Sequence, residues 1–267
     1  MNTIITGASS GIGKALVNTF ARNGHAVLAI ARREDRLKEL SQKLAVENHA
    51  TVHPFPLDIT ADNASQHIYE AAIDLFGNVQ VLINNAAMSP YQEFHLVNLS
   101  HIRQIISLNV LALTELCRLF IPHMLEHGEP SHVVNVGSVG AYAPLPYFSI
   151  YNGTKHYVRV FTNMLRYETR KSNIKISTLH PGGTISEFQA LAGERVTELG
   201  RKGMMTPEAV AEIAYPAILK GKRVIVPGTI NKLAVIIGKF FPFPVAIRVM
   251  SLVYKLSIEK TDNNYPI

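Results

Sequence analysis

The sequence predicts a doubly wound α/β fold in one continuous unit, and three observations carry that prediction. Short runs rich in Val, Ile and Leu alternate with helical stretches of ten or more residues, the pattern of parallel strands joined by right-handed crossovers. Runs such as VLAIA and VVNV are apolar on both faces, as strands are when helices cover both sides of their sheet. The composition agrees: 267 residues, 47% hydrophobic and 17% charged, suit a large buried core.

The elements follow in order. NTIIT reads as the first strand and leads into a helix near Gly11–Asn23. HAVLAI is the second strand, followed by a charged helix near Glu34–Glu47. TVHPFPL precedes a helix near Asp62–Phe76, and VQVLINN is the fourth strand. A long helix around His101–Glu126 leads to HVVNVGS, and a helix around Ile150–Lys171 leads to IKISTLHP. The last unit is a helix over Pro207–Leu219 and the strand RVIVPG. With no linker or repeat between them, these make one parallel sheet of about seven strands, helices on both faces, and a ligand site at the carboxyl ends of the strands. Residues 1–228 hold the sheet, and 229–267 form a C-terminal apolar and basic helical extension of the same domain.

Charge and cysteine usage narrow the function classes. The formal net charge is +6, and residues from Arg201 onward hold ten Lys/Arg against four Asp/Glu, so the first 200 residues are neutral on balance. No dense basic stripe with interleaved aromatics is present, which argues against nucleic acid as a partner. Cys117 is the sole cysteine, and the histidines show no ligand spacing, so neither a disulfide framework nor a metal is expected. NTIIT already reads as a strand directly after Met1 and not as a signal peptide, which points to a cytoplasmic protein.

TGASSGIG, Thr6–Gly13, lies between the first strand and the first helix. Glycines at 7, 11 and 13 let the backbone turn tightly and approach a pyrophosphate, which the unpaired N–H groups of a helix start attract. The spacing is G-x-x-x-G-x-G, distinct from G-x-G-x-x-G, and an ordinary glycine-rich turn is the plainer reading of this stretch alone. The second strand ends in Ala31, Arg32 and Arg33, where an acidic residue would accept from a ribose 2′-OH. Guanidinium groups suit a 2′-phosphate, and Ser9 or Ser10 can add a hydroxyl, so NADP(H) is favoured over NAD(H). The competing reading is a solvated charge pair at a helix start.

Ser138 ends the strand HVVNVGS at the expected ligand edge. Tyr151 and Lys155 are four apart in YNGTK and share one helix face, while Asn109 sits inside the long helix, a poor place for Asn without a task. A free Tyr has a pKa of about 10, and a neighbouring ammonium favours its phenolate. Ser138 would hold a substrate carbonyl and Tyr151 would donate the proton while a cofactor delivers hydride. A Tyr-x-x-x-Lys spacing alone is more often a surface helix pair; four such features in order at strand ends favour catalysis.

TGASSGIG, LDI, NNAA, Asn109, Ser138, Tyr151-x-x-x-Lys155 and PGGTIS resemble the short-chain dehydrogenase/reductase superfamily from about Met1 to Gly228. The resemblance implies a Rossmann-type sheet, an NADP(H) or NAD(H) cofactor and a catalytic tetrad of Asn109, Ser138, Tyr151 and Lys155, with Asn109 associated with a water in the proton relay. It assigns Gly7, Ser9, Ser10, Gly11, Ile12 and Gly13 to the pyrophosphate and adenosine site, and Arg32 and Arg33 to selection of NADP(H). Asp58 and Ile59 would flank the adenine, with Asn85 near its ribose and Ala86 beside it. Tyr151 and Lys155 would also touch the cofactor, and Pro181, Gly182, Thr184 and Ser186 would hold its nicotinamide end. Three positions depart from the usual pattern: Ala87 for Gly, Ser186 for Thr, and Gly153 inside YNGTK, which costs about 1 kcal/mol relative to Ala. Homodimers or homotetramers through the helices carrying Asn109 and Tyr151 are a further expectation from the resemblance.

The terminal stretch Lys232–Leu256 is apolar, but Lys239 and Arg248 interrupt it, and Pro242 and Pro244 forbid one continuous helix. It reads as two amphipathic helices, Asn231–Phe240 and Val245–Leu256, with apolar positions Leu233, Ile236, Ile237 and Phe240, then Val245, Val249, Leu252, Val253 and Leu256. Three uses stay open: packing on the domain or a sister subunit, a lid beside the loop Glu187–Met205, or a surface resting on anionic lipid through Lys232, Lys239, Arg248 and Lys255. The strand RVIVPG followed by this pair resembles the DltE-like bacterial branch of the superfamily. The favoured function is an NADP(H)-dependent oxidoreductase acting on a hydrophobic carbonyl or alcohol. The alternatives are a nucleotide-sensing binding protein on the same fold and a peripheral membrane interaction protein.

Overall fold

The computed structural model describes residues 1–193 and 196–257; within the helices, the side chains of Leu199, Phe243 and 253–257 lie outside the description. Seven parallel strands form one sheet in the order β3-β2-β1-β4-β5-β6-β7. They are β1 Asn2–Thr6, β2 Ala26–Ala31, β3 Val52–Pro56, β4 Val81–Asn84, β5 Ser131–Val136, β6 Ile174–Leu179 and β7 Val224–Ile225. The fold class expected from the alternation is the one observed. The order reverses between β1 and β4, where the crossovers go to opposite sides and leave a crevice at the strands' carboxyl ends.

Strand periodicity divides the core into two layers. On β1, Ile5 packs with α1 (Gly11–Arg22), α2 (Glu34–Asn48) and a late helix, Pro207–Leu219, through Leu16, Phe20, Leu37, Val210 and Ala214. Its neighbour Ile4 points the other way, into a layer with α3 (Ala64–Phe76) and the helices that follow β4 and precede β6. The helix after β4 runs from Leu99 to His127, longer than expected, as α4 (Leu99–Ile106), a π-helical turn (Ser107–Ala112) and α5 (Leu113–His127). It is long and apolar enough to cross a membrane, yet Ile105, Leu116, Phe120 and Met124 are fully buried in this protein. α6 spans Ser149–Glu168.

The edge strands are shaped by proline and glycine. β3 pairs with β2 through Ala29↔Pro54 and Ala31↔Pro56, while the next N–H, Leu57, bonds Ala31 O at 3.0 Å. Odd positions therefore donate inward, and both prolines stand where an N–H would face the open edge. At the other edge the expected RVIVPG strand shortens to two residues, because Pro227 lacks a donor and Gly228 turns the chain at φ +84.

The loop after β6 contains two short helices absent from the sequence reading, α7 (Glu187–Ala192) and α8 (Glu198–Lys202). α9 is Pro207–Leu219, and α10 (Thr229–Phe240) and α11 (Phe243–Ser257) follow β7 around the expected proline bend. α10 docks Val235 against Ala141 and Tyr142, and α11 packs on α8. Ile230, Leu233, Ile236 and Phe240 face outward, as do Val245, Val249 and Leu252 on α11. Ile237 is half-buried. Of the residues assigned to this apolar and basic pair, Val253, Lys255 and Leu256 lie outside the described side chains.

Candidate functional site

The crevice at the sheet's carboxyl edge opens into a cavity of about 700 Å³. One end is built from the turn between β1 and α1. Gly7 has φ +68, and a Cβ on Gly13 would collide with the Gly7 carbonyl, so only glycines let the turn close this tightly. Asn85 braces it from the end of β4: its Nδ2 donates to Thr6 O at 2.9 Å, and the backbone N–H groups of Asn85 and Ala86 both donate to Thr6 Oγ1 at 3.0 Å. Ile12, Asp58 and Ile59 line the same end. Ala87 is not among the non-glycine residues with positive φ, so its Cβ is accommodated without strain. A Cβ on Gly7 or Gly13 would strike Asn85, Ala86 or the turn's own carbonyl, so glycine keeps the turn tight, and the cradle of N–H groups at the start of α1 fits the pyrophosphate of a dinucleotide.

Arg33 lies over the cradle. Its Nε and Nη2 donate to Ser9 Oγ at 3.1 and 3.0 Å, and Nη2 also donates to Ser10 Oγ at 2.8 Å. Its Nη1 donates to Glu187 Oε2 at 2.7 Å, and Arg36 Nη1 donates to Glu187 Oε1 at 2.6 Å. These two bonded guanidiniums hold the Glu187 carboxyl below its usual range. Arg32 points outward, with Nη1 3.9 Å from Asp58 Oδ2. Partial burial opposes charge on Asp58, but bonds from the Thr60 N–H and hydroxyl, with Arg32 nearby, keep its carboxyl lowered.

The opposite end gathers Ser138, Tyr151 and Lys155 around the cavity. Ser138 follows β5 in extended conformation, and its Oγ accepts from Gly140 N–H at 3.1 Å. Tyr151 and Lys155 lie one turn apart on α6, with Nζ 5.5 Å from the Tyr151 ring centre. Lys155 is 3% exposed, and its Nζ donates to Val136 O at 2.8 Å. Burial lowers its pKa to about 7. Pro181, Gly182, Thr184 and Ser186 form the facing wall, Thr184 bridging in parallel to Met205 and Ser186 capping α7 through Phe188 N–H at 3.3 Å.

Asn109 stands apart from this lining. It is 1% exposed on the π-helical turn, its Oδ1 accepting from Met88 N–H at 3.0 Å and its Nδ2 donating to Met88 O at 2.9 Å and Thr154 Oγ1 at 3.1 Å. Its side chain pins the chain after β4 to α6, a bracing position beside the cavity. The π-turn, a feature frequent at functional sites, has no sequence signal of its own.

Two residues went unread in the sequence. His180 is fully buried beneath Ser138, its Nδ1–H donating to Ser138 O at 2.9 Å; burial lowers its pKa to about 4, so the ring is neutral. Tyr142 stacks edge-on to it at 4.9 Å, with the Arg159 guanidinium 4.4 Å from the Tyr142 ring centre. Glu187, the second, starts α7 and ties it to Arg33, which also bonds Ser9 and Ser10 on the glycine turn. A histidine before Pro181 and an acid after Ser186 are visible in sequence, but nothing there says what they face. Between the two ends Val139, Leu145, Phe148, Phe188, Leu191 and Met204 make the wall mainly apolar.

The comparisons agree with this geometry. A family model for short chain dehydrogenase matches residues 1–196. The chain is 32% identical over 189 residues to sulfoacetaldehyde reductase 2 of Chromohalobacter salexigens, covering 69% of this chain and 73% of that one. A short-chain dehydrogenase of Sphingobium yanoikuyae, solved in complex with NADPH, superposes with a TM-score of 0.80 at 27% identity over 99% of both chains. A short chain dehydrogenase/reductase of Burkholderia phymatum, solved with NAD, shares the fold with a TM-score of 0.81 at 24% identity, covering 88% of this chain and 92% of that one.

Proposed function

The chain belongs to the short-chain dehydrogenase family, and on that premise we propose that it is an NADP(H)-dependent oxidoreductase interconverting a carbonyl and an alcohol on a hydrophobic substrate. The observation that carries the reading is Ser138, Tyr151 and Lys155 converging on one cavity whose other end is a glycine cradle. A bound nicotinamide supplies or accepts the hydride. This chain's residues do the rest: the Ser138 hydroxyl orients the substrate oxygen, and the Tyr151 hydroxyl gives or takes its proton. Lys155 favours the Tyr151 phenolate in its protonated form, which in the cofactor-free protein is held up to about pH 7. Asn109 acts by holding the segment after β4, and Thr184 and Ser186 by shaping the wall for the nicotinamide end.

Arg33 with the Ser9 and Ser10 hydroxyls supports a 2′-phosphate, hence NADP(H), as does the lack of an acid at the end of β2. The apolar wall supports a hydrophobic substrate. Outward-facing Val160 and Met164 on α6 support a homodimer through that helix, and the outward apolar stripes of α10 and α11 support peripheral contact with an anionic membrane from the cytoplasm. The short last strand with its helix pair supports the DltE-like branch.

Reduction of aldehydes and ketones of increasing chain length with NADPH tests the activity. Tyr151→Phe is expected to lower kcat by about 10²–10⁴-fold while nucleotide affinity stays at the wild-type value. Turnover within tenfold of wild type would overturn the assignment of Tyr151. A wild-type protein that binds NADPH but reduces nothing would favour the nucleotide-sensing alternative.

A further inference from the structure

Glu187 occupies an unusual place for a carboxylate. It starts α7, whose Phe188, Gln189 and Leu191 line the cavity, and its two oxygens are held by Arg33 at 2.7 Å and Arg36 at 2.6 Å. Arg33 has five N–H donors, and the bonds to Ser9, Ser10 and Glu187 engage four of them. A phosphate dianion arriving at this guanidinium therefore meets a site whose charge is already matched, with a carboxylate within its first contact shell. Like charges at such a distance repel, so both anions cannot share Arg33 without movement.

The same residue is mechanically linked to the far end of the cavity. Ser186 caps α7 and sits so near the glycine turn that a Cβ on Gly11 would be 3.2 Å from Ser186 Cβ. One residue after Glu187, the Phe188 ring lies 5.6 Å from that of Tyr151, and Gln189 and Leu191 complete the wall.

We propose that Glu187 is a specificity-determining residue for the cofactor, an internal carboxylate standing where a 2′-phosphate would bind. A 2′-phosphorylated nucleotide displaces it from Arg33 and frees the first turn of α7, whereas a nucleotide with a plain 2′-OH leaves it latched. The substrate wall thus responds to which cofactor is bound. This rests on the reading of Arg33 as the 2′-phosphate contact.

Calorimetric titration with adenosine 2′,5′-bisphosphate and with 5′-AMP separates the two ideas, using wild type, Glu187→Gln, Arg33→Ala and the double variant. Glu187→Gln is expected to tighten the bisphosphate roughly tenfold and leave 5′-AMP unchanged, the scale of a partly exposed, doubly bonded ion pair. Unchanged or weaker bisphosphate binding in Glu187→Gln overturns the displacement. If Arg33→Ala fails to weaken the bisphosphate in either background, the 2′-phosphate reading itself falls. Hydrogen exchange of the α7 amides reads the mechanical half: the bisphosphate should speed exchange in wild type and 5′-AMP should not. Equal exchange with both ligands overturns the coupling to the wall.

Discussion

Lys155 keeps its amine in a site with almost no solvent, bonded to one backbone carbonyl. An ammonium there loses hydration, which is why its pKa falls to about 7. The stability consequence has a defined sign. Between pH 7 and about 10 the unfolded chain keeps this proton while the folded chain has lost it, so stability rises with pH through that window. In the cofactor-free protein, wild-type stability relative to Lys155→Met should climb by at most about 1.4 kcal/mol per pH unit from pH 7 upward and be flat below. Urea titrations at several pH values measure it, and a pH-independent difference would mean the amine stays charged when folded. Tyr151 and Lys155 were legible in the sequence because helical spacing alone puts them on one face. Glu187 and His180 were not, since their partners lie 154 and 42 residues away and no local pattern encodes such contacts.

Helix α10 shows what an element's sequence reveals and what it hides. Its apolar spacing announced an amphipathic helix, but spacing cannot say which stripe docks. The docking stripe proves to be the small one, Asn231, Val235 and Gly238, while the larger Ile230, Leu233 and Phe240 stay outside. A Cβ on Gly238 would overlap the Tyr142 carbonyl, so the helix approaches the turn after Ser138 at backbone distance. Gly182 meets the Asn231 amide in the same way, so the helix also backs the wall facing Tyr151. Gly238→Ala is expected to cost about 1–3 kcal/mol through overpacking. Gly153→Ala, on the exposed face of α6 with nothing within 4 Å of the added carbon, should gain about 0.5–1 kcal/mol. Both are read as shifts of the urea midpoint, and a neutral Gly238→Ala would show that α10 is not held against the turn. The π-turn after α4 escaped the sequence for a different reason: no residue type or spacing marks a π-helical turn inside a longer apolar helix.

At the scale of the molecule, the alternation of strands and helices predicted the sheet because every crossover buries a run that no other arrangement would cover. Among the described residues, apolar side chains stay outside on α6 (Val160, Met164 and Tyr167), on α4 and the π-turn (Leu99, Ile106 and Leu111), and along the α10–α11 stripes, where Phe240 is 80% exposed. No acidic residue occurs from Thr229 to Ser257, while Lys232, Lys239, Arg248 and Lys255 do. Met164→Glu should convert a sedimenting dimer to monomer, and a monomeric wild type would refute that interface. Phe240→Glu should abolish salt-sensitive co-sedimentation with phosphatidylserine vesicles without changing the sedimenting mass. A Phe240→Glu monomer would instead make the tail a subunit contact. The edges of the sheet bear on the same question. Pro54 and Pro56 strip the outer rim of β3 of two amide hydrogens, and β7 is two residues long. Among the described residues both rims are therefore poor templates for a further strand. Lateral strand exchange is thereby disfavoured along the described edges, which leaves the outward helix faces as the surfaces a second copy would have to recognise.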